Sequence, residues 1–392
     1  MANADPIDDQ PPFSYDDARL PSSRDHIRLL DLAPSANRSA PIVCHLSCHA
    51  IGSPDARPFT ALSYAWGSPA RTHHAAVGGK QLGITTSLDE ALRHLRDGVD
   101  VLTLWIDQIC INQADNAEKS DQVALMARIF GAARQVLIWL GPAADDSDRV
   151  MELWRDVGLM VQEQIGDDCL VGLSERELAT LTTHAGESGP ESLESVGVFH
   201  KVVQAAVLRA SDDFFEAAMA AWHGRPWFNR IWVLQEYILS REVPVYVCGE
   251  WRVEADLVDM AVFIYSIAAI QVSLRVLPVD DELRGEVEWM ADFVNRSANT
   301  YEAARQRMLE FNLKLAGPGD SLLDLLTRVY VGPGRELYAT DERDRIFALL
   351  ALASDLDTLG LRADYSIEDS SWSLPWLLRR SYRKPGSWSC CH

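Results

Sequence analysis

Two rhythms of apolar and polar positions alternate along this chain. Short, nearly unbroken apolar runs stand at Leu102-Thr103-Leu104-Trp105-Ile106, at 135–141 (QVLIWLG) and at 243–249 (VPVYVCG). Runs of this length without polar alternation suit strands covered on both faces, as in a parallel sheet; a buried helical segment reads the same over so few residues. Further strands are expected at 26–32 (HIRLLDL), 41–49 (PIVCHLSCH) and 59–67 (FTALSYAWG), the last broken by Gly67-Ser68-Pro69. Between these runs the period changes to that of a helix. Ser87-Leu88-Asp89-Glu90 reads as a capping box, after which Leu88, Ala91, Leu92 and Leu95 share a face. A second helix is expected over 116–133, with Val123, Met126, Ala127 and Phe130 as its stripe. The order strand, helix, strand, helix, strand with short links predicts an α/β fold, a doubly wound parallel sheet flanked by helices.

Residues 142–222 interrupt that order with helical segments at 148–165 and 198–222 around a polar stretch at 186–194, and read as an insertion. The stretch 225–236 (RPWFNRIWVLQE) then starts a helix, with Pro226 in its first turn and Phe228, Trp232, Gln235 and Leu239 in one stripe. Trp232 and Glu236 are four apart, which makes indole and carboxylate neighbours on a helix. Beyond 253 the pattern is helical, at 257–274, 282–311, 322–330 and 342–353. The expected organisation is a disordered acidic arm (1–24), an α/β domain (25–252) with the insertion at 142–222, a helical region packed on it (253–370) and an irregular tail (371–392).

Charge narrows the function. The 392 residues carry 36 Lys and Arg against 57 Asp and Glu, a net charge of -21. Such a field repels phosphate backbones and anionic lipid, so nucleic-acid binding is set aside as the main role, while a local basic pocket for a small anion stays open. The apolar stretch 260–274 is shorter than the ~20 residues a membrane span needs. The acidic N-terminus reads as neither a secretory signal nor a transit peptide, and seven cysteines then point to reduced thiols in the cytoplasm. Cys44, His45, Cys48 and His49 crowd one segment, but structural zinc usually takes two separated ligand pairs, and the distant cluster is Cys390-Cys391-His392. Half-buried strand thiols are the favoured reading, and no metal site is assigned.

In open α/β sheets, ligands sit outside the carboxyl ends of the strands. Asp107 is expected at such an end, with the amides Asn112 and Gln113 close behind; the tip of the 59–67 strand holds Tyr64, Trp66 and Gly67. Arg225 and Arg230 suit phosphates. Each has a plainer role as well. Tyr64, Trp66, Gly67 and Trp232 can be core and turn, Asp107 a cap for the following turn, and Glu236 the partner of an arginine on a neighbouring layer. Cys110 has no base nearby in sequence, and there is no phosphate loop of the GxxxxGK[ST] type.

Four blocks, 61–67 (ALSYAWG), 104–113 (LWIDQICINQ), 225–236 (RPWFNRIWVLQE) and 343–350 (RDRIFALL), resemble in order and spacing the fungal heterokaryon incompatibility (HET) domain family. Glu118, Gln122 and Met126, and the run Trp139-Leu140-Gly141, are similar to it too. Ser68 departs from the family's usual acidic residue. The resemblance implies a cytoplasmic fungal protein of self/non-self recognition whose activation leads to growth arrest or cell death. It also implies a core similar to the flavodoxin-like Toll/interleukin-1 receptor (TIR) fold. Some TIR-like domains cleave NAD with a Glu four residues after a Trp. By that analogy Glu236 is the catalytic carboxylate, and Tyr64, Trp66, Gly67, Asp107, Asn112, Gln113, Arg225, Arg230 and Trp232 bind the substrate. NAD enters as a substrate, not a cofactor. The expected partner is a second copy of the chain or another incompatibility protein. The alternative is a non-catalytic death-signalling scaffold.

Overall fold

In the computed structural model the described residues are 10–53, 56–165, 201–202, 204–206, 209, 215–273, 320–330 and 337–366. The first half of the fold runs β1 (His26–Leu32), β2 (Ile42–Ala50), β3 (Thr60–Tyr64), β4 (His73–Val77), β5 (Lys80–Ile84), α1 (Thr86–Leu95), β6 (Leu102–Trp105), α2 (Asp107–Cys110), α3 (Asn116–Ala132) and β7 (Gln135–Trp139). It continues with α4 (Ser147–Ile165), α5 (Phe215–His223), α6 (Val233–Ile238), β8 (Val245–Cys248), β9 (Trp251–Glu254), α7 (Ala255–Ser273), α8 (Leu322–Tyr330), α9 (Asp344–Leu350) and α10 (Leu356–Leu359). The nine strands form one sheet in the order β5-β4-β2-β1-β6-β3-β7-β8-β9.

The middle of that sheet, β6-β3-β7-β8, is parallel throughout. Counted along the chain these four strands lie in the order 2-1-3-4, the doubly wound order in which the chain reverses direction between the first and third strands. The expected parallel strands are therefore present, and β3, β7 and β8 are nearly fully buried, while β6 is buried over its second half. Outside them the sheet is not purely parallel. β1 pairs antiparallel with β2, the link between them being too short for a crossover helix, and antiparallel with β6 on its other edge. A β4–β5 hairpin turns on Gly78 and Gly79, both at positive φ (59° and 78°), the geometry a two-residue hairpin loop demands. β8 and β9 turn likewise at Gly249 (φ 56°).

The helices show where local signals were read one step off. α1 is capped by Thr85, whose side chain accepts from the Leu88 N–H at 3.4 Å, not by Ser87. The Ser87 hydroxyl instead donates to the Ala65 carbonyl at 2.6 Å, tying α1 to the chain leaving β3. The buried face of α3 is Gln122, Leu125, Met126, Ile129 and Phe130, one position round from the expected stripe. Residues 225–236 are two short pieces, a 3-10 turn over Pro226–Asn229 and α6, with Arg230 extended between them.

Residues 10–24, read as part of a loose arm, lie against the sheet. Pro12 bridges to Gln81, and the Tyr15 hydroxyl donates to the Ile109 carbonyl at 3.0 Å. The zinc-like segment is strand β2, where alternation buries Cys44 and exposes His45, so the two cannot converge on one ion. Among the described residues no helix is long and apolar enough to cross a membrane. The expected 186–194 stretch, the 282–311 helix and the 371–392 tail lie outside the described residues.

Helix α4 buries Val150, Met151, Trp154, Val157 and Val161 and packs against α7 at backbone distance. A Cβ built on Gly158 would stand 2.4 Å from the Leu257 carbonyl oxygen and 2.6 Å from its Cα. Gly158→Ala should therefore destabilise the fold by roughly 1–3 kcal/mol, although alanine is the better residue for an isolated helix. Denaturant titration measures this; an unchanged or raised midpoint would mean that the two helices do not meet at this point.

Candidate functional site

The parallel strands all end on one side of the sheet, β6 at Trp105, β3 at Tyr64 and β7 at Trp139. The chain leaving β6 puts Asp107 at that edge two residues later. Its Oδ2 accepts from the Trp66 indole N–H at 2.8 Å and its Oδ1 from the Gln108 backbone N–H at 2.7 Å. On the other side of β3, the Glu236 carboxylate accepts a short hydrogen bond from the Ser63 hydroxyl. That hydroxyl accepts in turn from the buried Trp227 indole at 2.7 Å. Arg230 holds the second of the two acids. Its guanidinium spans both oxygens of Glu236 at 3.4 Å and donates to the Tyr64 carbonyl. A side chain that polar is held at the core only because its donors are answered on two sides.

The charges are coupled. Arg230 is ion-paired with Glu236, and its charge also acts on Asp107. Burial, and after it the negative charge of Glu236, push Asp107 up to about 6, against the opposing pull of Arg230, Trp66 and the Gln108 N–H. The Tyr64 phenol is driven well above its ordinary range by burial and then by the charge of Asp107. Exposure is unequal across the cluster. Trp66 and Asp107 are half-buried, the Arg230 side chain keeps 18% of its surface, and that of Glu236 only 4%. Glu236 thus lies behind Arg230, and Asp107 and Trp66 form the open side.

The loop carrying Asp107 is braced from below. Arg28, 1% exposed, pairs with Glu118 at 2.6 and 3.0 Å and donates to the Cys110 carbonyl at 3.0 Å. Glu118 also accepts the Asn112 N–H at 2.7 Å, so one ion pair fixes the middle of the connection between β6 and α3, at Cys110 and Asn112. Burial pushes the Cys110 thiol up to about 12, which removes any nucleophilic role at neutral pH.

The structure brings together Tyr64, Trp66, Asp107, Arg230 and Glu236 from the sequence-expected set. The others have structural work. The Asn112 side chain accepts from the Ala114 N–H at 3.2 Å, and the Gln113 amide donates to the Asp107 carbonyl at 2.9 Å. Gly67 makes the turn after β3 at φ 66°. Arg225 donates to the carbonyls of Leu140 and Pro142 at 2.8 and 3.1 Å, fixing the chain after β7. Trp232 caps α6, and its indole serves Asp344 of α9, so the expected Trp232–Glu236 pairing over one hollow is replaced by Trp66 beside Asp107. Ser63 and Trp227 were not singled out from sequence. A lone hydroxyl in the apolar run 61–64 was the available signal.

Residues 59–236 match the family model described as heterokaryon incompatibility protein (HET), from the residue before β3 through Glu236 itself. These residues are similar to the HET domain family. Every member of the cluster lies inside that span. Over 375 residues the chain is 33% identical to heterokaryon incompatibility protein 6, OR allele, of Neurospora crassa, an alignment covering 90% of this chain and 51% of that protein. The chain thus spans about half the length of that relative. No solved structure matches it.

The raised Asp107 makes the stability of the α/β fold depend on pH. The folded state holds this proton more tightly than the unfolded chain does, so the contribution is complete below about pH 4 and is lost as pH rises through 6. The loss is at most about 3 kcal/mol, less for the solvent that reaches a half-buried side chain. Relative to wild type, Asp107→Asn should gain roughly 1–3 kcal/mol between pH 4 and pH 7.5, read by urea unfolding at both. A difference that stays constant would mean that Asp107 titrates as an ordinary carboxylate.

Proposed function

We propose that this chain is a fungal incompatibility protein whose HET domain triggers growth arrest or cell death in self/non-self recognition. The support is the match of residues 59–236 and the Neurospora crassa relative, whose name states incompatibility. We further propose a TIR-like core, supported by the 2-1-3-4 order of the parallel strands, and a cytoplasmic site of action. The chemical step proposed for it is hydrolysis of NAD at the nicotinamide–ribose bond.

The observation that carries this chemistry is the Glu236 carboxylate, ion-paired with Arg230 at the carboxyl end of the sheet, with the charges of both acting on Asp107. In the step, the C1′–N bond breaks and its electron pair leaves with the nicotinamide nitrogen. Water adds to C1′ and surrenders a proton. The intervening charge on the ribose is oxocarbenium-like, which a nearby carboxylate stabilises. Trp66 at the open side offers a face for the nicotinamide ring. In the closed arrangement Arg230 covers Glu236, so the diphosphate of NAD has a defined task. It draws the guanidinium toward itself and uncovers the acid.

A second reading, a death-signalling scaffold acting by contacts alone, is favoured by the 4% exposure of the Glu236 side chain and its ion pair with Arg230. Nicotinamide release from NAD, measured at protein concentrations that permit self-association, separates the two. Glu236→Gln keeps the shape and should lower the rate at least 100-fold if the carboxylate stabilises developing charge. Equal rates in the two proteins would remove Glu236 from the chemistry. If neither protein releases nicotinamide and cell death persists in hyphae expressing the variant, the scaffold reading stands.

A further inference from the structure

At the opposite end of the same strands lies a groove of about 420 Å³, within the size range of small-molecule sites. It is floored by Ile27, Leu29, Ile51 and Phe59, and its polar rim is Arg57, Arg134, Arg241, Glu242 and His49. Three arginines line it on a protein of net charge -21.

Two of those charges are partly answered. Arg57 pairs with Asp31 at 2.7 Å, and Arg241 stands 3.9 Å from Glu242. Arg134 takes part in no ion pair among the described residues, and its backbone is fixed by an N–H bond to the Phe59 carbonyl at 2.8 Å. Burial, and after it the charge of Arg57, hold His49 below its ordinary range, so the imidazole adds no positive charge at neutral pH. Three arginines against two carboxylates leave one positive charge in surplus over an apolar floor.

We propose that this groove binds a small phosphate-bearing ligand with a flat apolar part, such as a nucleoside monophosphate. The phosphate sits between Arg134 and Arg241, and the flat part lies on Phe59 and Ile51. The site is separate from the Asp107–Glu236 cluster, because the five residues of β3 stand between them, about 16 Å of extended chain. It is nonetheless joined to that cluster by structure. Arg241 and Glu242 follow directly on α6, the helix that carries Glu236, and α3 meets the end of that helix where Gly131 faces the Leu239 carbonyl. The proposal stands whether or not the HET domain cleaves NAD.

Adenosine monophosphate is the probe, with inorganic phosphate and adenosine as separate arms, each titrated by calorimetry and thermal unfolding of the whole chain. Adenosine monophosphate should bind with a sub-millimolar Kd and raise Tm, and each half alone should bind at least tenfold more weakly. Arg134 and Arg241 are exposed, so Arg134→Ser with Arg241→Ser should leave the unliganded Tm unchanged while weakening the nucleotide at least tenfold. Nucleotide binding of equal strength in the double variant would place it elsewhere, and overturn the proposal. Absence of binding by the wild-type chain would do the same. Should the double variant unfold at a lower temperature, Arg134→Lys, which keeps the charge and loses the planar fork, provides the remaining test. It should weaken the nucleotide more than threefold, and an unchanged Kd would overturn the assignment.

Discussion

Arg230 is the group on which the carboxyl end of the sheet depends. Its guanidinium joins the β3 backbone at the Tyr64 carbonyl to the Glu236 carboxylate of α6, and its charge offsets the rise of the Asp107 pKa. Remove that cation and the buried Glu236 carboxylate loses its ion-pair partner. Breaking a buried pair by deleting one partner costs far more than the pair itself gains in stability, because the survivor stays desolvated. The break in helix between Asn229 and Val233 has its reason here. An extended Arg230 reaches the end of β3, where a continuous helix would have carried it past.

The C-terminal region takes part in this arrangement although it lies outside the residues matched to the family. The Tyr338 N–H donates to the Asn229 carbonyl at 2.5 Å and the Tyr338 carbonyl accepts from the Ile231 N–H at 3.1 Å, so its backbone brackets Arg230 on both sides. Asp344 holds the Trp232 indole and the Tyr365 hydroxyl, while the Phe347 carbonyl accepts the Gln235 amide. Residues 338–365 are thus a brace for the short α6, a helix of six residues that could not stand alone in water.

A second buried ion pair, Arg28–Glu118, performs the same service for the loop bearing Asp107. Arg28–Glu118 joins β1 to α3, and Arg230, besides pairing with Glu236, ties the start of α6 to the end of β3. Both pairs also use the arginine's spare donors on backbone carbonyls, which makes such a pair tolerable in a core. Specific geometry in the turns is secured by polar networks, and bulk stability comes from apolar strands and helices.

The sequence by itself determined what is local. The strands at 26–32, 102–105 and 135–139 are legible because apolar runs have no other low-energy home, and α3 because Val123, Met126 and Phe130 recur at helical spacing. It also placed Asp107 at a strand end and Glu236 one helical turn from Trp232. What only the tertiary structure decided is which of these side chains meet. The direction of Trp232 toward Asp344, the turn of Arg230 toward Tyr64 and Glu236, and the choice of Trp66 as the indole on Asp107 each depend on a partner more than five residues away. No periodicity encodes such distances. They follow from where the packed strands bring their ends together, and that requires the whole sheet.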